Sequence, residues 1–291
     1  MLLIQLTRTT RVAIGCFVLC LIALSLGQNA WAQSLDRISK QLNRPIPGGV
    51  AIVALGEMPT KPEAQFQGQP VLVLPDSNQR WWAVVGLSLD TTVGKHQLTV
   101  KHGDKDLGEI EFSVQPHQYK SQHIKLKNKA MVSPPPKTLE RIKRELREQI
   151  AAYQTFSDRL PSNLIFDPPV KGRLSSPFGL KRYFNGQPRN PHSGLDFVAP
   201  AGTPVTAPAD GRILYIGDLY FNGLTVFVDH GQGLISMFCH LSSINHLPGD
   251  EVKRGDMVGS VGSTGRATGP HLHWNVSLNN ARVDPALFLS R

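Results

Sequence analysis

Leu224-Thr225-Val226-Phe227-Val228-Asp229-His230-Gly231-Gln232-Gly233-Leu234-Ile235-Ser236-Met237-Phe238 holds two apolar, β-branched and aromatic runs around a Gly-containing turn. That is the pattern of a β-hairpin. Arg212-Ile213-Leu214-Tyr215-Ile216 reads as a further strand just upstream, and residues 168–291 show no convincing helical period. Similar text fills residues 45–126. Runs at 50–55, 71–74, 82–87, 96–100 and 109–114 are broken by Gly, Pro and Asp. The last two alternate, with Leu98 and Val100 on one face and Ile110, Phe112 and Val114 on another. With 26 Gly and 22 Pro in 291 residues, turns and short strands are favoured over a helical bundle.

One helix is expected between the two β regions. After Pro134-Pro135-Pro136, the residues Leu139, Ile142, Leu146, Ile150, Tyr153 and Phe156 form an apolar stripe at helical spacing, with Pro161 as the stop. A lone helix of this length is marginal in water, so the stripe is expected to pack on a neighbouring domain. It is not sustained over enough heptads for a coiled coil.

The N-terminal text addresses the protein. Arg8 and Arg11 precede an apolar run from Val12 to Leu26, and Ala30-Trp31-Ala32 supplies the small residues that signal peptidase reads. Cleavage is expected before Gln33, leaving no stable membrane span, because the run falls short of the ~20 residues that cross a bilayer. Leu19 is too bulky for a lipoprotein signal at Cys20. Cys16 and Cys20 leave with the leader, so Cys239 is the one cysteine of the mature chain and no internal disulfide can form. The net charge of +9 is dispersed, without the basic tract and interleaved aromatics of a nucleic-acid site.

The chemistry gathers in the last third. His192-Ser193-Gly194-Leu195-Asp196, His240 and His271-Leu272-His273 are its settings. On extended backbone an even offset puts two side chains on one face: four for His192 and Asp196, two for His271 and His273. Two imidazoles and a carboxylate suit Zn²⁺ and leave a fourth position free, as in catalytic sites. A Cys239 nucleophile beside His240 is the competing enzymatic reading. Strand alternation argues against it, since Cys239 should then point away from the site of His240. The other six histidines (96, 102, 117, 123, 230 and 246) have no partner at ligand spacing and are expected at the surface.

His192-x-x-x-Asp196, His240-Leu241-Ser242 and Gly269-Pro270-His271-Leu272-His273, with Ser176-Pro177-Phe178-Gly179, 199–205 and Gly262-Ser263-Thr264-Gly265, resemble the lysostaphin-type zinc metallopeptidases. These enzymes cut peptide cross-links of bacterial peptidoglycan. The resemblance covers residues 168–291. It implies His192, Asp196 and His273 as metal ligands and His240 and His271 as catalytic histidines, without saying which is the base. Two positions depart from the family: Asn275, where an acid is common, and Cys239, where a small residue is usual. The half-motifs 204–211 and 248–256 are similar to biotinyl and lipoyl carrier domains, but no lysine sits in a corresponding turn. A catalytically dead amidase activator is set against by the retention of all three ligands.

The expectation is thus a mainly β chain. It comprises a signal peptide (1–32), an immunoglobulin-like β-sandwich (33–130), a Pro-rich linker and helix (131–167) and a β-sheet zinc peptidase domain with a lipoyl-like strand pattern (168–291). The resemblance implies an exported endopeptidase of the periplasm or cell envelope. Its substrate would be peptidoglycan, at D-alanyl–diaminopimelate bonds, and a regulatory envelope protein is a candidate partner. The N-terminal domain is expected to position the catalytic domain, with occlusion of its groove as the alternative.

Overall fold

The computed structural model describes residues 38–76 and 78–290. The expected signal peptide, with Cys16 and Cys20, lies outside them. Among the described residues no helix is long and apolar enough to cross a membrane.

The N-terminal region is a two-sheet antiparallel sandwich. One sheet is ordered Val50–Glu57, Arg80–Gly86, Leu72–Pro75; the other is ordered Gln69–Pro70, Glu63–Phe66, Gly94–His102, Lys105–Val114. Their facing side chains form one core, in which Ala51, Val53, Val73, Ala83 and Val85 meet Phe66, Leu98, Val100 and Val114. The three-stranded sheet also buries its other face. Val50, Leu72, Leu74 and Val84 belong to the core of the C-terminal region, together with Phe166, Leu195, Phe238, Trp274 and Leu278. This explains why 50–55, 71–74 and 82–87 are unbroken apolar runs. A strand covered on both sides needs an apolar residue at each position, whereas one with a wet face alternates.

The C-terminal region is a larger, mainly antiparallel sheet. Along it run Glu251–Val252, Gly211–Leu219, Gly223–Gly231, Leu234–Ser243, His271–Leu278, Leu195–Val198 and Arg173–Ser176. The expected hairpin turns at Gln232-Gly233, between strands Gly223–Gly231 and Leu234–Ser243. One face of this sheet, through Val226, Val228, Phe238, Trp274 and Val276, packs into the shared core. The other face holds Phe227, Ile235, Met237 and Cys239 beneath helix α1, Pro136–Tyr153.

That helix corrects the sequence expectation. It ends at Tyr153, so Phe156 lies beyond it and Pro161 does not stop it. It docks through Ala152 and Tyr153, and through a buried Glu145 that pairs with Arg141 and accepts from the Tyr220 amide at 2.7 Å. Leu139, Leu146 and Ile150 of the predicted stripe are instead 41%, 54% and 40% exposed. His230 is a second correction. It is fully buried, with Nδ1 on the Asp210 carbonyl at 2.8 Å and Nε2 on Ser236 Oγ at 2.9 Å, so it is a core residue.

A short strand crosses between the regions. Ser121–Ile124 pairs in parallel with Lys181–Phe184, which in turn pairs with Gln187–Pro188. The end of the N-terminal region thereby becomes part of the wall around the cluster described next.

Candidate functional site

Strand His271–Leu278 lies between Leu195–Val198 and Leu234–Ser243, with Asp196 opposite His273 in register. Directly opposed residues share a face, which brings the Asp196 carboxylate to His273. Asp196 Oδ1 is 2.7 Å from His273 Nδ1. His192 arrives differently from expectation. It precedes the strand Leu195–Val198, on a loop that crosses His271–Leu278 so closely that a Cβ on Gly194 would lie 2.4 Å from the Trp274 carbonyl oxygen. Glycine at 194 permits that crossing. It carries His192 Nε2 to 3.0 Å from both Asp196 Oδ1 and His273 Nδ1.

These three atoms form a compact triangle that could hold a metal ion. Its edges approach the ~3.3 Å expected between ligand atoms that sit ~2 Å from a tetrahedral Zn²⁺. The surroundings aim the donors. His192 Nδ1 donates to the Pro177 carbonyl at 2.7 Å, which leaves the Nε2 lone pair for the cluster. Arg182 donates from Nη2 to Asp196 Oδ2 at 3.1 Å, and from Nε to Gln122 Oε1 at 3.3 Å. Gln122, on the strand Ser121–Ile124, also reaches Ser176 Oγ at 3.4 Å. Burial alone would raise the Asp196 pKa, but the ring nitrogens of His192 and His273 at its oxygen outweigh it and hold the carboxyl well below its usual range. Burial likewise pushes His192 down to about 4, so it is neutral, the form a ligand needs.

His240 and His271 face each other, ring centroids 4.7 Å apart, and His240 lies 6.1 Å from the His273 ring. Each is tethered through Nδ1 at 2.8 Å, His240 to the Thr264 carbonyl and His271 to the Gly269 carbonyl. A carbonyl accepts only a proton-bearing nitrogen, so Nδ1 carries a hydrogen in each ring, and the neutral form of either keeps its lone pair on Nε2. Burial, then the neighbouring His271 and His273, lower the His240 pKa to about 3.

Alternation fails at Cys239 and His240. His240 has φ +60°, and the register of its strand shifts there against the strand Gly223–Gly231. Cys239 opposes His273, on the face that the sequence reading had it leave. It is nonetheless unfit as a nucleophile. The side chain is fully buried with Tyr153, Phe227 and Met237, and burial pushes the thiol far above its ordinary pKa. Asn275 replaces the expected acid with a different function. Its amide donates to the Ser193 carbonyl at 2.5 Å and to Ser193 Oγ at 2.9 Å, pinning the loop that carries His192. A carboxylate could not donate there.

The cluster opens into a groove of about 900 Å³. Ile142, Leu146 and Ile150 of α1 line the groove, as do Leu126 and Val132 from the chain that leads to it. Among the described residues, no hydrogen bond from 38–156 reaches the three converging atoms. Arg182, Gln122 and the roles of Asn275 and Thr264 escaped the sequence reading. A strand-like Lys181-Arg182-Tyr183-Phe184 was the one available hint.

Comparison with known proteins places this geometry. The model of peptidase family M23 matches residues 190–285, and that of its N-terminal domain matches 43–117. A crystal structure of an M23 protein from Pseudomonas aeruginosa is 53% identical, with a TM-score of 0.75, over 87% of this chain and 98% of that one. The DD-carboxypeptidase/endopeptidase Mpg of Neisseria meningitidis is 41% identical over 41% of this chain and 27% of its own length. The peptidoglycan DD-endopeptidase ShyC of Vibrio cholerae is 38% identical over 39% and 26%. The chain thus spans about a quarter of the length of these curated relatives. With both family models matched and nearly the whole of the Pseudomonas chain covered, this chain belongs to peptidase family M23.

Proposed function

We propose that the chain is a zinc-dependent endopeptidase of the cell envelope that hydrolyses peptide cross-links of bacterial peptidoglycan, at D-alanyl–diaminopimelate bonds. The observation that carries this reading is the convergence of His192 Nε2, Asp196 Oδ1 and His273 Nδ1 within 3.0 Å, with the His240–His271 pair on the same groove. His192, Asp196 and His273 hold the metal. His240 and His271 are the catalytic histidines. Zn²⁺ bound there supplies a Lewis acid for the scissile carbonyl and lowers the pKa of a water.

The protein's own groups handle the protons. The first step needs a base, and each Nε2 lone pair supplies one. Once protonated, that histidine becomes a double donor, able to pass the proton to the leaving amine. Its partner stabilises the oxyanion when it carries a second proton, on Nε2. The Nδ1 tethers keep both rings oriented throughout. Residues 1–32 serve as the export signal. The region before the helix positions the catalytic sheet, supported by the link from Gln122 to Arg182 and Ser176.

The test is digestion of purified diaminopimelate-type sacculi by the mature, zinc-loaded protein, with the products identified by mass. Cross-linked muropeptide dimers should be converted to monomers, and His271→Ala should abolish this. Products cut only in the glycan, or none at all, would sink the reading.

A further inference from the structure

The groove carries more positive charge than its own acids balance. Its two carboxylates are both engaged, Glu145 by Arg141 and the Tyr220 amide, Asp196 by Arg182 and the histidines. Arg189 and Arg266 line the same groove, and among the described residues neither pairs with an acid. They lie side by side. Arg266 Nη1 donates to the Met131 carbonyl at 3.3 Å, and Arg189 Nη2 to the next carbonyl, Val132, at 2.7 Å. The Arg266 guanidinium is held against two rings, 4.3 Å from the Phe221 centroid and 4.8 Å from that of Phe184. Burial, then Arg182 and Arg189, pull its pKa down to about 10, which still leaves it charged at neutral pH.

Clamping one arginine between aromatics, beside a second and away from any acid, costs folding energy. Among the described residues, one Arg266 side-chain donor out of five finds an acceptor. The location gives the arrangement a use. Arg266 sits on the loop whose Thr264 and Gly269 carbonyls orient His240 and His271, so a group bound to it lies at the catalytic end of the groove.

We infer that Arg266 and Arg189 form a subsite for a carboxylate of the peptide substrate, on the residue that supplies the scissile amine. The inference rests on the endopeptidase reading and sharpens it. In a D-alanyl–diaminopimelate link that residue bears a free carboxylate on the carbon next to the scissile nitrogen, and a glycine bridge bears none. A guanidinium fork matches a carboxylate in two parallel hydrogen bonds. The carbonyls of Met131 and Val132 are neutral acceptors that such an anion would replace.

The experiment uses the full mature protein and two synthetic cross-linked peptides, identical except that one carries this carboxylate and the other its carboxamide. The acid should be preferred ~10- to 100-fold in kcat/KM, the range of one charge-assisted pair. Zinc-free protein titrated with each peptide by calorimetry should show the same preference in Kd. Arg266→Met and Arg189→Met should each bring the acid-to-amide ratio towards one, with Arg266→Lys in between, in proteins whose Tm certifies folding. If wild-type protein hydrolyses and binds the two peptides alike, the subsite is refuted while the endopeptidase reading stands. If it hydrolyses neither but zinc-free protein still prefers the acid, the subsite stands and that reading falls. Full preference retained in folded Arg266→Met refutes the assignment. Should that variant not fold, the wild-type comparison and Arg189→Met decide.

Discussion

Gly86 is the place to test whether the two regions form one cooperative unit. It ends the strand Arg80–Gly86 and lies against the last residues of His271–Leu278. A methyl at Gly86 would sit 2.7 Å from both the Cβ and the carbonyl oxygen of Leu278, and 3.1 Å from Asn279 Oδ1. Carbon contacts need ~3.5–4.0 Å, so Gly86→Ala must part the seam by about 1 Å. Parting it stretches two buried hydrogen bonds, from the Gly86 amide to Asn279 Oδ1 at 2.6 Å and from Asn279 Nδ2 to the Gly86 carbonyl at 3.0 Å. Each is worth about 1 kcal/mol, and overpacking adds ~1–3 kcal/mol. Against this, replacing glycine stiffens the unfolded chain, a gain of only ~0.4–1 kcal/mol. The clash wins, by a net ~2–4 kcal/mol, which lowers Tm by roughly 5–15 °C in a chain of this size. Scanning calorimetry of the mature protein should show a single transition, moved down as a whole. An unchanged or higher Tm, or a second transition that alone moves, would refute the shared seam.

Two further outcomes follow from the site and the core. Arg182→Met leaves Asp196 Oδ2 without its guanidinium and should weaken Zn²⁺ binding ~10- to 100-fold in chelator competition; equal affinity would remove Arg182 from the support of the metal. His230, buried and held neutral with its pKa near 4 against an ordinary 6.5, favours the unfolded chain once protons become available. Its contribution is complete above pH 6.5 and falls as pH drops towards 4, by about 3 kcal/mol in all. Urea midpoints at pH 7, 5 and 4 should therefore fall more steeply for the wild type than for His230→Gln, and parallel slopes would count against this account.

Local spacing made most of the site readable. His271 and His273 share a face because two residues on a strand always do, and Asp196 meets His273 across a neighbouring strand. His192 was paired with Asp196 by a strand argument that does not apply to it, since its loop is aimed by Gly194 and the Pro177 carbonyl. The Cys239–His240 inference failed because one left-handed residue suspends alternation, and nothing in a histidine announces φ +60°. Arg182 and Gln122 were invisible for another reason. Their contact joins strands some sixty residues apart, through a parallel pairing that no local pattern encodes. The helical stripe misled because apolar residues at helical spacing can line an open groove as well as a core. The lack of alternation in 50–55, 71–74 and 82–87 does carry a signal, that of a sheet covered on both sides.

That twice-covered sheet governs the order in which the molecule can be completed. The strands Val50–Glu57, Leu72–Pro75 and Arg80–Gly86 are synthesised well before the residues that cover their outer face, which include Trp274, Leu278 and Phe288. The closing contacts come last of all, where Gln41 Nε2 donates to the carbonyls of Leu287 and Leu289 at 2.8 and 2.9 Å. For most of its emergence, then, the nascent chain presents these apolar strands without the residues that cover their outer face, a surface that invites holdase chaperones or self-association. Long-range pairing of this kind folds slowly. Fusion partners or truncations that delay the final segment lengthen the exposure, so low soluble yield is the cost expected from the same arrangement that locks the two regions together.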